Sequence, residues 1–508
     1  ARYIHIIGYC VYCLIVNVSI DHIMKYIDYV QLNSFQKFGY KSKNFFVNLP
    51  HNLAKFFIML GNFFKKVFLG IGHGFANFGK RFAKGDWATK LSYLIMGMGN
   101  ISKGQYIKGL LFLVIEAAYA MFLIFFGIDQ LSQFGTLGTQ EGGLGVDPRT
   151  GGYGYVEGDN SMLILLYGVT TIVVSVVFLV FYIMNTKSAM KVQELKAEGK
   201  HIPTFKEELK QFGDEKFQIT LLSLPCLLIG IFTVLPLIFM VLIAFTNYDH
   251  SHQVPGHLFT WVGLQTFRDV FSNVGGANMG ETFLTLTEWT IIWAIFATFL
   301  NYIFGMIVAL MINKKGIKLK SLWRTLFVIT VAVPQFVTLL VMNQMLQFND
   351  GAINILLQNL GFSRIHFLDG TALTAKLTVI IVNLWVGIPY TILITSGILM
   401  NIPADLYESA TIDGAGPVKS FVKITLPYML FVTTPYLITT FINNINNFNV
   451  IYLLSAGGPT TEKLYGGAGQ TDLLVTWLFK LTMSEQDYNY AAAIGSLLPS
   501  RSSRCRPG

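Results

Sequence analysis

Seven long apolar runs, separated by polar or charged segments, organise this chain. They cover residues 109–127, 162–184, 218–246, 288–312, 324–346, 376–400 and 428–450. A helix crosses the hydrocarbon core of a bilayer with about 20 mainly apolar residues, so each run predicts one membrane-spanning helix. Composition agrees with the pattern: of 508 residues, 53% are hydrophobic and 13% charged, and the mean hydropathy is +0.52. A soluble domain carries about 25% charged residues. The expected fold class is therefore all-α, a polytopic transmembrane helical bundle with seven complete spans plus a truncated eighth. The eighth begins as NYAAAIGSLL (489–498) but is stopped by PSRSSRCRPG, and about ten apolar residues are too few to cross.

Charge changes this picture by orienting it. The net charge of +9 could indicate nucleic acid, but its placement argues for a membrane. Segments 128–161, 247–287 and 347–375 carry a single basic residue each, Arg149, Arg268 and Arg364. By contrast, 185–217 holds seven lysines, and 313–324 holds Lys314, Lys315, Lys318, Lys320 and Arg324. Lysine and arginine near span ends favour the cytoplasmic side, and the alternation puts loop 401–427 in the cytoplasm. The expected division is a cytoplasmic N-terminal region (1–107), a transmembrane hairpin (108–184), a cytoplasmic linker (185–217), a core domain (218–498) and an aberrant tail (499–508).

The N-terminal region is unusual. From Asn52 to Lys84, apolar residues from Leu53 and Phe56 through Phe78 and Phe82 recur at helical spacing, interleaved with Lys55, Lys65, Lys66, Lys80, Arg81 and Lys84. This predicts a basic amphipathic helix lying in the cytoplasmic interface or packed on the bundle, weakened by five glycines. The chain begins at Ala1, with Met24 as the first plausible start; together with the short tail this is expected to reflect truncation or a frame shift at one or both ends.

Candidate chemistry is sparse. Cys10 and Cys13 form a CxxC without a second pair or a histidine cluster at zinc spacing. GFANFGKR (Gly74–Arg81) nears a phosphate-binding loop, but Arg81 stands where Ser or Thr would bind magnesium and no strand precedes it. Glu116 lies inside a span, where an acid is costly and often functional. His250 and His252 make a weak metal pair. With no paired catalytic carboxylates and no nucleophile–base set, the chain does not read as an enzyme, and no metal or cofactor is expected.

The informative stretch is the polar loop Tyr407–Pro427, YESATIDGAGPVKSFVKITLP, between two apolar runs. Pro403 suits a first helical turn, and Asp405 places a negative charge where the helix dipole favours it. Gly414-Ala-Gly416-Pro417 must end that helix. Pro417 can open a second, with Val418, Phe421, Val422 and Leu426 apolar, closed by Pro427. Two short helices at an angle make a compact knob.

The spacing of Glu408, Ser409, Ala410, Gly414, Ile424, Leu426 and Pro427 resembles the EAA-loop of ABC-importer membrane subunits, with Ser409 a departure from the family's second residue. NLWVGIPY (383–390), NNINNFNVIYLLSAGGPT (443–460) and TDLLVTWLFKLT (471–482) extend the resemblance, over roughly residues 90–498, to the first permease subunit of maltose/maltodextrin-type importers. That resemblance implies a type I permease fold in a bacterial plasma membrane. It implies a second homologous permease subunit, an ATPase subunit dimer that receives the loop and hydrolyses ATP, an extracellular sugar-binding protein and an oligosaccharide substrate. It also implies a mid-membrane pocket at Asn383, Gly387, Tyr390, Thr440, Asn444 and Asn447.

Both residue triplets fall at i, i+4 and i+7, on one face of a helix, and amides bond sugar hydroxyls as donor and acceptor. Interhelical hydrogen bonding is the alternative use of these asparagines. Asn443 and Val331 replace two aromatic rings of the maltose-type pocket, which leaves another oligosaccharide open. Another sugar, a polyol or glycerol phosphate remains as substrate, although an anion would need basic pocket residues. An ion-coupled secondary transporter would need ionisable mid-membrane residues, and a scaffold would leave the polar face unexplained.

Overall fold

A computed structural model describes residues 61–497, apart from positions 63, 64, 67, 68, 71, 73, 75, 147–150, 157, 254, 255, 273–277 and 315. The Cys10–Cys13 pair, about half of the basic amphipathic stretch and the 499–508 tail lie outside the described residues. Contacts divide the chain into two units. Among the described residues, one takes in residues 61–242 together with 246–261, the other 243–245 and 262–497.

The first unit contains α1 (Tyr106–Phe134), α2 (Ser161–Ala197), α3 (Phe205–Gly213) and most of α4 (Phe217–Ile243). A hairpin of β1 (Gly143–Val146) and β2 (Tyr153–Val156) joins α1 to α2. Helices α1, α2 and α4 are long and apolar enough to cross a membrane, and their apolar side chains remain largely exposed, as lipid contact requires. Residues 76–84, which contain most of the phosphate-loop-like motif, are helical.

The segment from Lys84 to Gln105 is held against α2 by side chains that replace regular backbone pairing. Asn185 accepts from Gly97 N (2.9 Å) and donates to Ser92 O (2.9 Å). Lys103 Nζ donates to Asp86 Oδ1 (3.0 Å) and Thr89 Oγ1 (2.7 Å). Glu116 Oε2 accepts from Met96 N at 2.8 Å, a structural use for the acid that stood out within its apolar run. Gly97 sits at φ 88°, and a Cβ there would overlap the backbone of Gly109.

The second unit is built around α5 (Met279–Asn313). Then follow α6 (Lys320–Val331), α7 (Gln335–Met345), α8 (Ala372–Met400), α9 (Ala404–Ile412) and α10 (Pro417–Ile445). The chain continues into α11 (Phe448–Ser455), α12 (Leu474–Lys480) and α13 (Tyr488–Leu497). Helix α5 packs along both α8 and α10 and contributes to three apolar clusters. Trp289, Trp293 and Ala297 meet Val379, Val382 and Ile451; Tyr302 and Met306 meet Met429 and Leu437; Ala309 and Ile312 meet Ile392.

Three expectations are corrected here. The run 324–346 is not one straight helix: α6 and α7 meet at an angle of 85°. Pro334 cannot donate a backbone hydrogen bond and biases Val333 away from helical geometry. The run 428–450 breaks at Asn446 and Asn447, and Asn447 Oδ1 accepts from Val450 N (3.3 Å) as the cap of α11. Finally, Pro427 does not close a helix. A π-turn over Phe421–Thr425 carries the helix from Pro417 through Pro427 to Ile445, because a wider turn absorbs the missing donor.

Among the described residues, six helices qualify as membrane spans by length and composition, or seven if α6 and α7 count as one bent span. The chain is a helical, multi-pass membrane protein. Gly97→Ala is expected to destabilise the first unit by about 2 kcal/mol. That should appear as a lower thermal midpoint in detergent; an unchanged midpoint would count against the left-handed turn at Gly97.

Candidate functional site

Two features of the second unit have the makings of a working site, a protruding knob and a seam of buried amides. The knob forms because α9 is ended by a full Schellman motif. Gly414, at φ 73°, donates to Thr411 O (3.0 Å), and Ala415 N donates to Ala410 O (2.9 Å). Pro417 then stands in the first turn of α10, where its missing N–H goes unused. The phenol of Tyr407 meets Thr425 Oγ1 at 2.8 Å and pins α9 to the base of α10.

The loop residues lie on this knob. Glu408, Ser409 and Gly414 are exposed, Ala410 is half-buried, and Ile424 and Leu426 are half-buried beside exposed Pro427. Around them, Ile412 is 86% and Val418 77% exposed. Two large apolar side chains at a polar helix junction mark a surface that covers something else. Met400 and Ala404 are separated by three residues, so α8 leads into the knob and α10 leads out of it without a break.

The amide seam lies where α5, α8 and α10 meet. Asn444 Nδ2 donates to Thr298 Oγ1 (3.0 Å), while its backbone carbonyl accepts from Trp293 Nε1 (3.2 Å). Asn447 Nδ2 donates to Asn444 Oδ1 (3.3 Å), so the two asparagines stay together although the helix breaks between them. Gly387 is a close-approach glycine: a Cβ there would strike the side-chain amide of Asn301. Asn301 Nδ2 donates to Ala297 O (2.8 Å).

Of the six pocket positions read from the sequence, Asn383 and Asn444 are buried, Gly387, Thr440 and Asn447 half-buried, and Tyr390 exposed. The structure thus joins Asn444 directly to Asn447 and sets Gly387 on α5. Thr440 and Tyr390 are not joined by hydrogen bonds to the other four positions. Two buried polar atoms, Asn301 Oδ1 and Asn383 Nδ2, make no hydrogen bond. An acceptor and a donor left open in a buried seam are costly, and they are complementary to hydroxyl groups.

Asn301, Thr298 and Trp293 were missed in the sequence. Part of their signal was present: Thr298 and Asn301 stand three apart, on one helical face, inside the run 288–312. His252 pairs with Asp249 (2.8 Å) and not with His250.

The loop leading into α12 braces this region. Trp289 Nε1 donates to Thr471 O (3.1 Å). Buried Asp472 accepts from Gly469 N (2.7 Å) and from Lys480 Nζ (2.6 Å). Burial pushes the Asp472 carboxyl up from its ordinary range, against the pull of the Lys480 ammonium. Burial and the neighbouring Asp487 carboxylate, which accepts from the Tyr465 hydroxyl at 2.6 Å, likewise raise the Tyr465 phenol.

Spans with exposed apolar flanks, an internal polar seam and a knob joining two of its helices define the architecture of a membrane transport permease. Residues 301–498 match the family described as binding-protein-dependent transport system inner membrane component, and the chain belongs to this family, as a multi-pass permease subunit of an ABC importer in the bacterial plasma membrane. It is 35% identical over 415 residues to the maltodextrin transport system permease protein MdxF of Bacillus subtilis, covering 80% of this chain and 90% of that protein. It is also 35% identical over 409 residues to the galactooligosaccharides transport system permease protein GanP of the same organism, covering 80% and 92%. Among solved structures, a chain of a bacterial ABC transporter involved in the import of the acidic polysaccharide alginate aligns at 21% identity with a TM-score of 0.45, covering 57% of this chain and 92% of that one.

Asp472→Ala is expected to cost about 3 kcal/mol by leaving Lys480 unpaired, and adding Lys480→Met should recover part of it. Thermal midpoints of Asp472→Ala, Lys480→Met and the double variant measure this; a double-variant loss equal to the sum of the two single losses would show that the pair is not coupled.

Proposed function

We propose that this chain is the permease subunit through which an ATP-driven importer takes up oligosaccharides of the maltodextrin kind. In this reading it pairs with a second, homologous permease subunit. An extracellular sugar-binding protein delivers substrate, and a dimer of ATPase subunits, not this chain, hydrolyses ATP. The observation that carries the proposal is the knob, with Ile412 and Val418 almost fully exposed on the junction between α8 and α10.

Glu408, Ser409, Ala410, Gly414, Ile424, Leu426 and Pro427 are assigned to the ATPase contact. Glu408 lies exposed on the same surface and supplies a polar contact. Because α10 runs unbroken from Pro417, a displacement of the knob displaces the inner end of a membrane-spanning helix. ATP-driven closure of the ATPases would draw the knobs together and turn the seam outward, and hydrolysis would reset it inward.

The substrate is assigned from the seam and from the maltodextrin and galactooligosaccharide named for the two relatives. Asn383, Gly387, Tyr390, Thr440, Asn444 and Asn447 are the proposed pocket positions, and the structure adds Asn301. A neutral amide seam suits hydroxyl-rich solutes over anions, which would need cationic partners. In the domain reading that follows, 218–498 is the transporting core, and 185–217 links it to the N-terminal hairpin.

Two experiments test the proposal. Glu408→Lys combined with Gly414→Val is expected to abolish co-purification of the ATPase while membrane insertion stays at wild-type levels; retained co-purification would remove the docking assignment. Asn383→Leu should lower uptake of labelled maltodextrins in cells by about fivefold or more, for a loss of about 1–3 kcal/mol, with the complex still assembled. Wild-type uptake would remove the pocket assignment.

A further inference from the structure

The β1–β2 hairpin carries an apolar face that nothing in the permease function explains. Antiparallel pairing sets Leu144 opposite Tyr155 and Val146 opposite Tyr153, so all four side chains share one face. They are 60–78% exposed. The other face is mostly glycine, with Gly143, Gly145 and Gly154 beside Val156. An isolated two-stranded hairpin is marginal in water, and glycine weakens it further. An exposed apolar face on so short a hairpin suits a covering surface.

The height of the hairpin is fixed by its base. Asp159 Oδ2 accepts from Thr139 N (2.8 Å) and Gln140 N (3.0 Å), and Asp159 N donates to Gln140 O (2.8 Å). Next in sequence, Asn160 caps α2 by accepting from Leu163 N (3.1 Å). Helix α2 has no charged residue from Ser161 to Thr186 and its first is Lys187, so its hydrocarbon boundary falls within its first turns. Val156 is five residues before Ser161, a reach of at most about 17 Å. The strands are therefore tethered within about 17 Å of the start of α2. At the outer end of α1, Trp261 Nε1 donates to Phe134 O (2.9 Å), which adds an aromatic to the same region.

We propose that the Leu144–Val146–Tyr153–Tyr155 face is an interfacial anchor, seated on the outer leaflet with its tyrosine rings among the lipid headgroups. Tyrosine favours that level because its ring is apolar and its hydroxyl polar. The uncharged face matches a lipid surface better than the polar rim of a protein interface.

The test uses the full chain in phosphatidylcholine proteoliposomes, with Cys10, Cys13, Cys226 and Cys505 replaced by serine. Spin labels are placed singly at Tyr153→Cys and Leu144→Cys. Val176→Cys serves as the lipid-facing reference and Lys210→Cys as the aqueous one. Collision with oxygen is compared with collision with a water-soluble nickel chelate. Both hairpin labels are expected to be shifted toward oxygen, between the two references. A chelate-dominated signal like that of Lys210→Cys would overturn the proposal. So would low collision with both agents, which would mean that protein covers the face, or a chelate-dominated signal that is lost only when an extracellular binding protein is added.

Discussion

A buried amide in a membrane has no water to fall back on, and every other feature of the second unit is arranged around that constraint. Packing alone gives little preference for one helix neighbour over another, because lipid is as apolar as leucine. Polar contacts therefore specify the arrangement. Trp289, Trp293, Thr298 and Asn301 on α5 present donors and acceptors in sequence. The backbone of Thr471 and Asn444 and the Asn444 side chain meet the first three, and Asn301 packs against Gly387. Helix α5 acts as the fixed rail against which α8 and α10 are set.

This arrangement links the seam to the knob. Helix α8 carries Asn383 and Gly387 and ends three residues before α9; α10 begins inside the knob at Pro417 and ends at the Asn444–Asn447 pair. The π-turn at Phe421–Thr425 keeps the second path continuous despite Pro427. A hinge there would have separated knob from seam; an unbroken helix transmits movement along its axis. The proposed coupling thus depends on helix continuity, which only the structure reveals.

Much of this was legible in the sequence for a simple reason. Hydrocarbon imposes one rule on every span, so the apolar runs show the helices without reference to packing. The end of α9 was equally legible, since Gly414 followed by Pro417 leaves the chain few options. The breaks were harder to read. Pro334 bends its run, whereas Pro389 sits inside α8 and Pro427 inside α10 without ending either. Which outcome prevails depends on neighbouring helices and local π-turns. Asn447 was placed on a face shared with Thr440 because periodicity assumes an unbroken helix, and its side chain instead caps the next one. Asn301 was hidden by the apolar residues around it, and it took the contact with Gly387 to expose its role.

The central claim is that the knob between α8 and α10 seats in the ATPase. A photo-crosslinking amino acid placed at Ile412, in cells that co-express the ATPase subunit, measures this directly. The account predicts a covalent adduct between this chain and the ATPase, lost when Glu408→Lys and Gly414→Val are combined. Labelling of lipid or of the chain itself, with no ATPase adduct, would contradict it.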